Sequence, residues 1–125
     1  MNSHRVALVT GGGTGIGKAA AKALLQAGYQ VVITGRNLDK LQAALKDIGG
    51  TDTNTLAVSS DVGDPDSVKQ LFASLKAKFG RIDVLFNNAG TASPPVPMEE
   101  LSYAQWMNVV NANLTGSFLC AQEAM

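Results

Sequence analysis

A glycine-rich stretch near the start of the chain is the segment whose residue types and spacing point most directly to chemistry. Residues 10–17 read Thr-Gly-Gly-Gly-Thr-Gly-Ile-Gly and directly follow the apolar run Val-Ala-Leu-Val. Glycine at Gly11, Gly15 and Gly17 removes the Cβ atom where a backbone turns tightly or approaches a ligand, and the free N–H groups of a helix start can face phosphate. The stretch predicts a strand, a turn and a helix that bind a phosphate-bearing ligand.

The phosphate-bearing ligand of such a turn can be a dinucleotide, and two other interpretations of the turn compete with this one. Residues 12–18 fit the Gly-x-x-x-x-Gly-Lys pattern of a P-loop, but Ala19 stands where that loop needs a Ser or Thr hydroxyl to hold magnesium. A strand-to-helix turn that binds nothing would use the same glycines. Other segments must decide among the three.

The composition sets outer bounds on the function. The 125 residues, 46% of them hydrophobic, suit one domain over residues 1–125. The charges of the ten basic and ten acidic residues cancel, and the basic residues do not form a run. This argues against nucleic acid or an anionic membrane as a partner. The single cysteine, Cys120, cannot form an internal disulfide, and the early apolar run is too short for a signal or a membrane span, so we expect a cytoplasmic protein. His4 is the only histidine, and no acid or cysteine stands near it in the sequence, so no metal is expected.

The elements that would position the turn alternate between strands and helices. Such alternation is typical of βαβ units, and apolar runs on both faces of the strands predict a parallel sheet that is covered on both sides. The predicted strands are residues 5–10, 30–34, 55–59 and 82–87. The predicted helices are residues 15–27, residues 38–48, a helix from the Asp64-Pro65 cap to about Gly80, and one that opens with the capping box Ser102-x-x-Gln105.

Arg36 follows the second predicted strand, at the place where dinucleotide-binding proteins contact the adenosine ribose. An Asp or Glu there would bind a free 2′-hydroxyl, whereas Arg36 offers a planar cationic fork and Gly35 leaves room for a 2′-phosphate. One charge-assisted hydrogen bond of about 1.5–3 kcal/mol corresponds to about a ten- to hundredfold preference. The sequence therefore favours NADP over NAD, and the alternative is an arginine on a solvated loop.

Four motifs in order resemble the short-chain dehydrogenase/reductase family. They are Thr10-Gly11-x-x-x-Gly15-Ile16-Gly17, Asp61-Val62, Asn87-Asn88-Ala89-Gly90, and Trp106 leading to Asn113-Leu114-Thr115-Gly116. The resemblance runs from Val6 to the end of the chain. It implies a Rossmann-like, doubly wound α/β sheet that binds NAD or NADP, and an assembly of identical subunits. It also displaces the P-loop alternative.

The resemblance assigns a role to each matching residue. It implies that the pyrophosphate lies over the glycine turn, that the adenine lies near the Asp61 carboxylate and the Val62 backbone, and that Asn88, Ala89 and Gly90 line the nicotinamide half. Asn87 would tie neighbouring strands together. Asn113 matches the active-site asparagine, which holds helix geometry and a water of the proton relay. The implied cofactor contacts are Gly11, Gly13, Thr14, Gly15, Ile16, Gly17, Arg36, Asp61, Val62, Asn88, Ala89 and Gly90.

The family's reaction needs residues that this sequence does not contain. The resemblance implies a serine and a Tyr-x-x-x-Lys, but Ile33 and Met107 occupy the lysine position after the two tyrosines. Because the sequence ends at Met125 inside a predicted helix, and because the fourth strand would otherwise be an open edge, we expect residues 1–125 to be the front part of a longer protein and to be inactive alone. The predicted function is an NADP(H)-preferring oxidoreductase that moves hydride to or from a small carbonyl or secondary alcohol. The alternative is a non-catalytic dinucleotide-binding module if the chain truly ends there.

Overall fold

Four parallel strands form one sheet in the computed structural model, which describes residues 4–13, 15–88 and 97–125. The order across the sheet is β3-β2-β1-β4. The strands are β1 Val6–Thr10, β2 Gln30–Gly35, β3 Thr55–Ser59 and β4 Val84–Phe86. This order confirms the predicted doubly wound α/β sheet, because the chain moves outward from β1 to β3 and then crosses back to the other side of β1.

The two central strands are covered on both faces, as their apolar sequences predict. Every residue of β1 is buried, and so are the four central residues of β2. On one face Val9 and Ile33 pack with Leu41, and on the other Leu8 packs with Leu71 and other buried side chains. Burial of this kind holds the two strand ends that carry the glycine turn and Arg36 in fixed positions.

Three helices connect successive strands and pack on the sheet, and their ends follow the predicted signals. They are α1 Gly15–Gln26, α2 Leu38–Asp47 and α3 Pro65–Phe79. The Asp64 side chain caps the start of α3, Pro65 follows in the first turn, and Gly80 ends the helix with a φ of 77°. Gly28, which follows α1, has a φ of 94°, the left-handed conformation that glycine adopts most easily.

The last helical region is one continuous rod with a change of geometry in its middle. The capping box of Ser102 and Gln105 opens it as predicted. The rod consists of α4 Tyr103–Val110, a π-helical segment Asn111–Thr115 and α5 Gly116–Ala124, and a short 3₁₀ turn, Met98–Glu100, lies before it. The sequence predicted an ordinary helix here and missed the π-helical segment, a feature that is frequent at functional sites.

Strand β4 is shorter than the predicted strand over residues 82–87. Asp83 uses both its main chain and its side chain to hold the start of β1: its N–H donates to the Val6 carbonyl, and its carboxylate accepts the Val6 N–H at 2.8 Å. Arg81 Nε donates to the same carboxylate at 2.9 Å, and this hydrogen bond, with that from Val6, lowers the pKa of Asp83. The ladder with β1 therefore begins only at Val84.

Candidate functional site

The predicted site residues follow the carboxyl ends of the four strands, at one edge of the sheet. Gly11 comes directly after β1, Arg36 directly after β2, Asp61 two residues after β3 and Asn88 two residues after β4. The strand ends are level, since Thr10 pairs with Thr34 in the parallel register. In open α/β sheets ligands bind at this edge, where the strand order reverses, which here is the crevice between β1 and β4.

The turn after β1 requires glycine at the positions that the sequence singled out. Gly11 and Gly15 have φ values of 67° and 55°, and the Gly11 N–H donates to the Thr34 carbonyl at 2.9 Å. A Cβ atom on Gly17 would lie 2.0 Å from the Gly11 carbonyl oxygen, which no packing adjustment could accommodate. The first turn of α1 therefore rests directly on the chain that leaves β1.

The other residues of the turn have different surroundings. Gly12, which the sequence analysis did not single out, also has a packing role, since its Cβ would lie 2.6 Å from Ile33 Cβ. A Cβ on Gly13 would lie 3.4 Å from Leu41 Cδ2, an ordinary contact. Ile16 is exposed at the start of α1. Thr14 lies outside the described residues.

The N-terminal end of α1 suits a negatively charged group. The first turns of α2 and α3 each carry an acid, Asp39 and Asp66, whereas the first turn of α1 carries none. The positive end of the α1 dipole is therefore not balanced by an acid of its own first turn. Gly15 adds open space, because a Cβ there would meet no heavy atom of the described residues within 4 Å, its chain neighbours apart. A pyrophosphate fits such a helix start in both charge and room.

Asn88 joins the end of β4 to the glycine turn. Its N–H donates to Thr10 Oγ1 at 2.9 Å, and its Nδ2 donates to the Gly11 carbonyl at 3.4 Å. The two strand ends that border the crevice are thus bonded to each other. Ala89 and Gly90, the other predicted contacts of this segment, lie outside the described residues.

The expectation that Asn87 ties neighbouring strands together is wrong. Its Nδ2 donates at 3.3 Å to the carbonyl of Ser117, which belongs to α5. The side chain therefore joins a strand to a helix. Side chains of successive residues in extended backbone point to opposite sides, so Asn88 reaches β1 while Asn87 reaches the helix that covers the sheet.

Arg36 and Asp61, predicted to bind different parts of a nucleotide, are in contact. Arg36 Nη2 lies 3.6 Å from Asp61 Oδ1, and both side chains are more than half exposed. The distance corresponds to an ion pair that is too long for a hydrogen bond. The expected room beside Gly35 is partly filled, because a Cβ on Gly35 would lie 3.3 Å from Leu41 Cδ2. The Gly35 position therefore offers less open space than the lack of a side chain suggests.

Val62, which is predicted to contact the adenine through its backbone, is a buried residue of the loop after β3. Its side chain is buried with Val68 and Cys120. A Cβ on Gly116 would lie 2.6 Å from Val62 Cγ2, and a Cβ on Gly63 would lie 3.1 Å from Asn111 Cβ. The loop after β3 is therefore packed tightly against the π-helical segment and the start of α5, a contact that the sequence analysis did not predict.

Asn113 lies at the centre of the π-helical segment. Its side chain is exposed, and its main-chain carbonyl accepts a hydrogen bond from Ser117 Oγ at 2.9 Å. Its backbone is thus part of the segment in which the helix geometry changes. Its predicted role, to hold helix geometry and a water of a proton relay, stays a prediction.

Other reactive residue types lie elsewhere. Cys120 is fully buried in α5, and this burial raises the pKa of its thiol to about 11, so it is a core residue rather than a thiolate. Within residues 4–13, 15–88 and 97–125, no three His, Cys, Asp or Glu side chains lie close enough together to hold a metal ion. In the same part of the chain, no helix has the length and apolar character that crossing a membrane requires.

Comparison with known proteins agrees with this architecture. The sequence model of the short chain dehydrogenase family matches residues 5–125. A cis-4-hydroxycyclohexanecarboxylate dehydrogenase of Sinomonas cyclohexanicum is 42% identical over 98% of this chain and 49% of its own length. One similar crystal structure is that of a 3-ketoacyl-(acyl-carrier-protein) reductase from Brucella melitensis complexed with NADH. Its TM-score is 0.88 at 32% identity, and the match covers 95% of this chain and 48% of that one. Another is that of a metagenomic short-chain oxidoreductase in complex with NADP, with a TM-score of 0.87 at 33% identity over 95% of this chain and 54% of that one.

These matches identify the class of protein. A parallel sheet with a glycine turn after its first strand defines a Rossmann-like nucleotide-binding fold. The chain belongs to the short chain dehydrogenase family, as the four sequence motifs predicted. It spans about half the length of each of these three relatives.

Proposed function

We propose that the protein is an NADP(H)-preferring oxidoreductase that transfers hydride between the nicotinamide and a carbonyl or secondary alcohol of a small molecule. The observation that carries the proposal is the placement of Arg36 beside the glycine turn, at the ends of adjacent strands β2 and β1. A turn that receives pyrophosphate next to a guanidinium that can receive a 2′-phosphate suits NADP(H). The bound nicotinamide would supply the hydride chemistry.

The glycine turn is proposed to hold the pyrophosphate. The open space at Gly15 and the start of α1, which has no acid in its first turn, support this assignment. The close contact of Gly17 with the Gly11 carbonyl keeps the helix end next to the turn. The proposed contacts of this segment are Gly11, Gly13, Thr14, Gly15, Ile16 and Gly17.

The adenosine half is proposed to lie over the ends of β2 and β3. Arg36 would contact the ribose phosphate, Asp61 the adenine through its exposed carboxylate, and Val62 the adenine through its backbone. The burial of the Val62 side chain and its contact with Gly116 support this division, because they fix the backbone of the loop.

The nicotinamide half is proposed to lie in the crevice between β1 and β4. Asn88, Ala89 and Gly90 would line it, and the hydrogen bonds of Asn88 to Thr10 and to Gly11 support this by holding the border of the crevice. Asn113 is proposed to act as the active-site asparagine that orients a water. Its exposed side chain in the π-helical segment supports that role.

The names of the similar structures support a nicotinamide cofactor without choosing between its two forms, since one contains NADH and the other NADP.

We further propose that residues 1–125 form the cofactor-binding part of a single domain in a cytoplasmic homo-oligomer. Trp106, Leu114 and Phe118 support the oligomer, because they lie at intervals of four or eight residues along the helical rod and are all more than half exposed.

The test is a titration of the full-length protein with NADPH and NADH, monitored by nicotinamide fluorescence. Arg36→Ala should weaken NADPH binding by about ten- to hundredfold and leave NADH binding unchanged. Lys46→Ala, which removes a positive charge from the last turn of α2, is the control and should change neither affinity. If Arg36→Ala leaves NADPH affinity unchanged, the preference for NADP(H) is wrong.

A thermal-shift comparison tests the class of ligand. A ligand present at about 100 times its dissociation constant stabilises the folded state by about 2.7 kcal/mol. NADPH should therefore raise the melting temperature and Mg-ATP should not. Stronger protection by Mg-ATP than by either dinucleotide would contradict the proposed cofactor altogether.

A further inference from the structure

The ion pair between Arg36 and Asp61 bears on how strongly the site can prefer one form of the cofactor. Within the part of the chain that the structure describes, Asp61 is the one carboxylate within 4.0 Å of the Arg36 guanidinium, with Nη2 3.6 Å from Oδ1. Arg36 is the residue to which the proposed function assigns the 2′-phosphate. A carboxylate therefore lies beside the guanidinium group that is proposed to receive a phosphate.

The Asp61 carboxylate is held in place by its own loop. Its Oδ1 accepts the N–H of Gly63 at 3.0 Å, which closes a local turn, and its main-chain N–H donates to Ser67 Oγ at 2.8 Å. The base of Arg36 is also fixed, because its main-chain carbonyl accepts a hydrogen bond from Ser59 Oγ at 3.0 Å. The carboxylate and the root of the arginine are therefore both anchored, and only the guanidinium end can change partner.

We propose that Asp61 is a specificity-determining residue, whose carboxylate competes with the 2′-phosphate of the cofactor for the Arg36 guanidinium and so limits the preference for NADP(H) over NAD(H). The proposal rests on the proposed function of Arg36. A bidentate contact with phosphate uses two N–H groups of the guanidinium fork, and Asp61 faces one of its terminal nitrogens. A phosphate must displace this carboxylate or accept its repulsion, whereas a free 2′-hydroxyl must do neither.

The size of the effect follows from the exposure of the pair. An exposed ion pair contributes little, because water and salt screen it. Removing the charge of Asp61 should therefore raise the ratio of NADPH affinity to NADH affinity by about two- to fivefold. The ratio is the informative quantity, since any contact of Asp61 with the adenine affects both cofactors equally.

The experiment measures both affinities by fluorescence titration in the full-length protein and in Asp61→Asn, whose amide oxygen can still accept the Gly63 N–H. Asp61→Ser, which also keeps a short acceptor, serves as a second variant, and melting temperatures verify that both fold. Asp66→Asn is the matched control, because Asp66 is an exposed acid in the first turn of α3 that forms no ion pair with a described residue. The ratio should rise in both Asp61 variants and stay unchanged in the control.

The double variant Arg36→Ala with Asp61→Asn separates this proposal from the proposed function. If the effect acts mainly through Arg36, the Asp61 substitution should raise the ratio less in the Arg36→Ala background, where only the direct repulsion between Asp61 and the phosphate is left to remove. An unchanged ratio in Asp61→Asn, or an equal rise with and without Arg36, would overturn the role of Asp61 while leaving NADP(H) preference intact. If Arg36→Ala alone does not weaken NADPH binding, the proposed function itself fails.

Discussion

Val62 and Gly116 are packed so closely that a methyl group on the glycine would lie 2.6 Å from Val62 Cγ2. The contact joins the loop after β3 to the end of the π-helical segment. The proposed adenine contact and the proposed active-site asparagine therefore lie on two segments that share one packing interface.

Gly116→Ala should destabilise the fold by about 1–3 kcal/mol, because the added methyl must push the loop and the helix apart. Chemical denaturation of the purified protein measures the loss. The substitution Val62→Ala removes the methyl group that would collide, so the double variant should lose less stability than the sum of the two single variants. Simple additivity would mean that the two residues do not interact as the structure describes.

Gly17→Ala should abolish dinucleotide binding and lower stability by more than a typical surface substitution, because its Cβ would lie 2.0 Å from the Gly11 carbonyl oxygen. NADPH titration and thermal unfolding check both effects. The control is Ala23→Gly on an exposed position further along α1, which should cost about 1 kcal/mol of helix stability and leave cofactor affinity unchanged. Normal NADPH binding by a folded Gly17→Ala protein would be evidence against the turn as the pyrophosphate site.

Asp83→Asn should reduce the sensitivity of the fold to acid. The hydrogen bond from Arg81 and that from the Val6 N–H lower the pKa of Asp83 in the folded state. A carboxyl group whose pKa is lower in the folded state than in the unfolded state stabilises the fold at pH values above its unfolded-state pKa of about 4. This stabilisation is lost as the pH falls through the folded-state pKa. Stability measured between pH 7 and pH 2 should fall less steeply in the variant. Asp47→Asn provides a comparison, because Lys18 lowers the pKa of Asp47 without involving the sheet. If stability falls as steeply with falling pH in Asp83→Asn as in the unaltered protein, Asp83 does not contribute to the acid sensitivity of the fold.

Cys120 should react with a thiol reagent only when the protein opens. Burial raises the pKa of its thiol to about 11, so almost no thiolate exists near neutral pH, and the side chain is inaccessible. A colorimetric thiol assay at pH 8 should show little reaction in native buffer and full reaction in denaturant. Phe118→Cys, combined with Cys120→Ser, places the thiol at an exposed position of the same helix and should react at once. Rapid reaction of native Cys120 would show that its side chain is not buried against Val62 and Val68.

The sequence predicted the parts of the molecule that depend on local signals. The caps at Asp64, Pro65 and Gly80 set the ends of α3, and the glycine turn follows from the conformations that only glycine adopts easily. The strand order followed from the family resemblance. All of these features are encoded within a few neighbouring residues or in a whole-chain pattern.

The features that sequence reasoning missed arise from contacts between distant segments. The partner of Asn87 is Ser117, thirty positions away, and the contact of Arg36 with Asp61 joins the ends of two strands. The π-helical segment has ordinary helix-compatible residues, and the tight approaches of Gly63 to Asn111 and of Gly116 to Val62 become visible only in three dimensions. Neither periodicity nor capping signals report such contacts.

The hydrogen bond between Val6 and Asp83 spans 77 positions of the chain. A ribosome adds residues at about 5–20 per second, so β1 waits on the order of ten seconds for the strand that completes its second edge. Pairing between such distant segments is also slow because a large loop must close first. During synthesis β1 therefore keeps one edge open until β4 has been made, and in this interval the nascent chain is vulnerable to association with other chains.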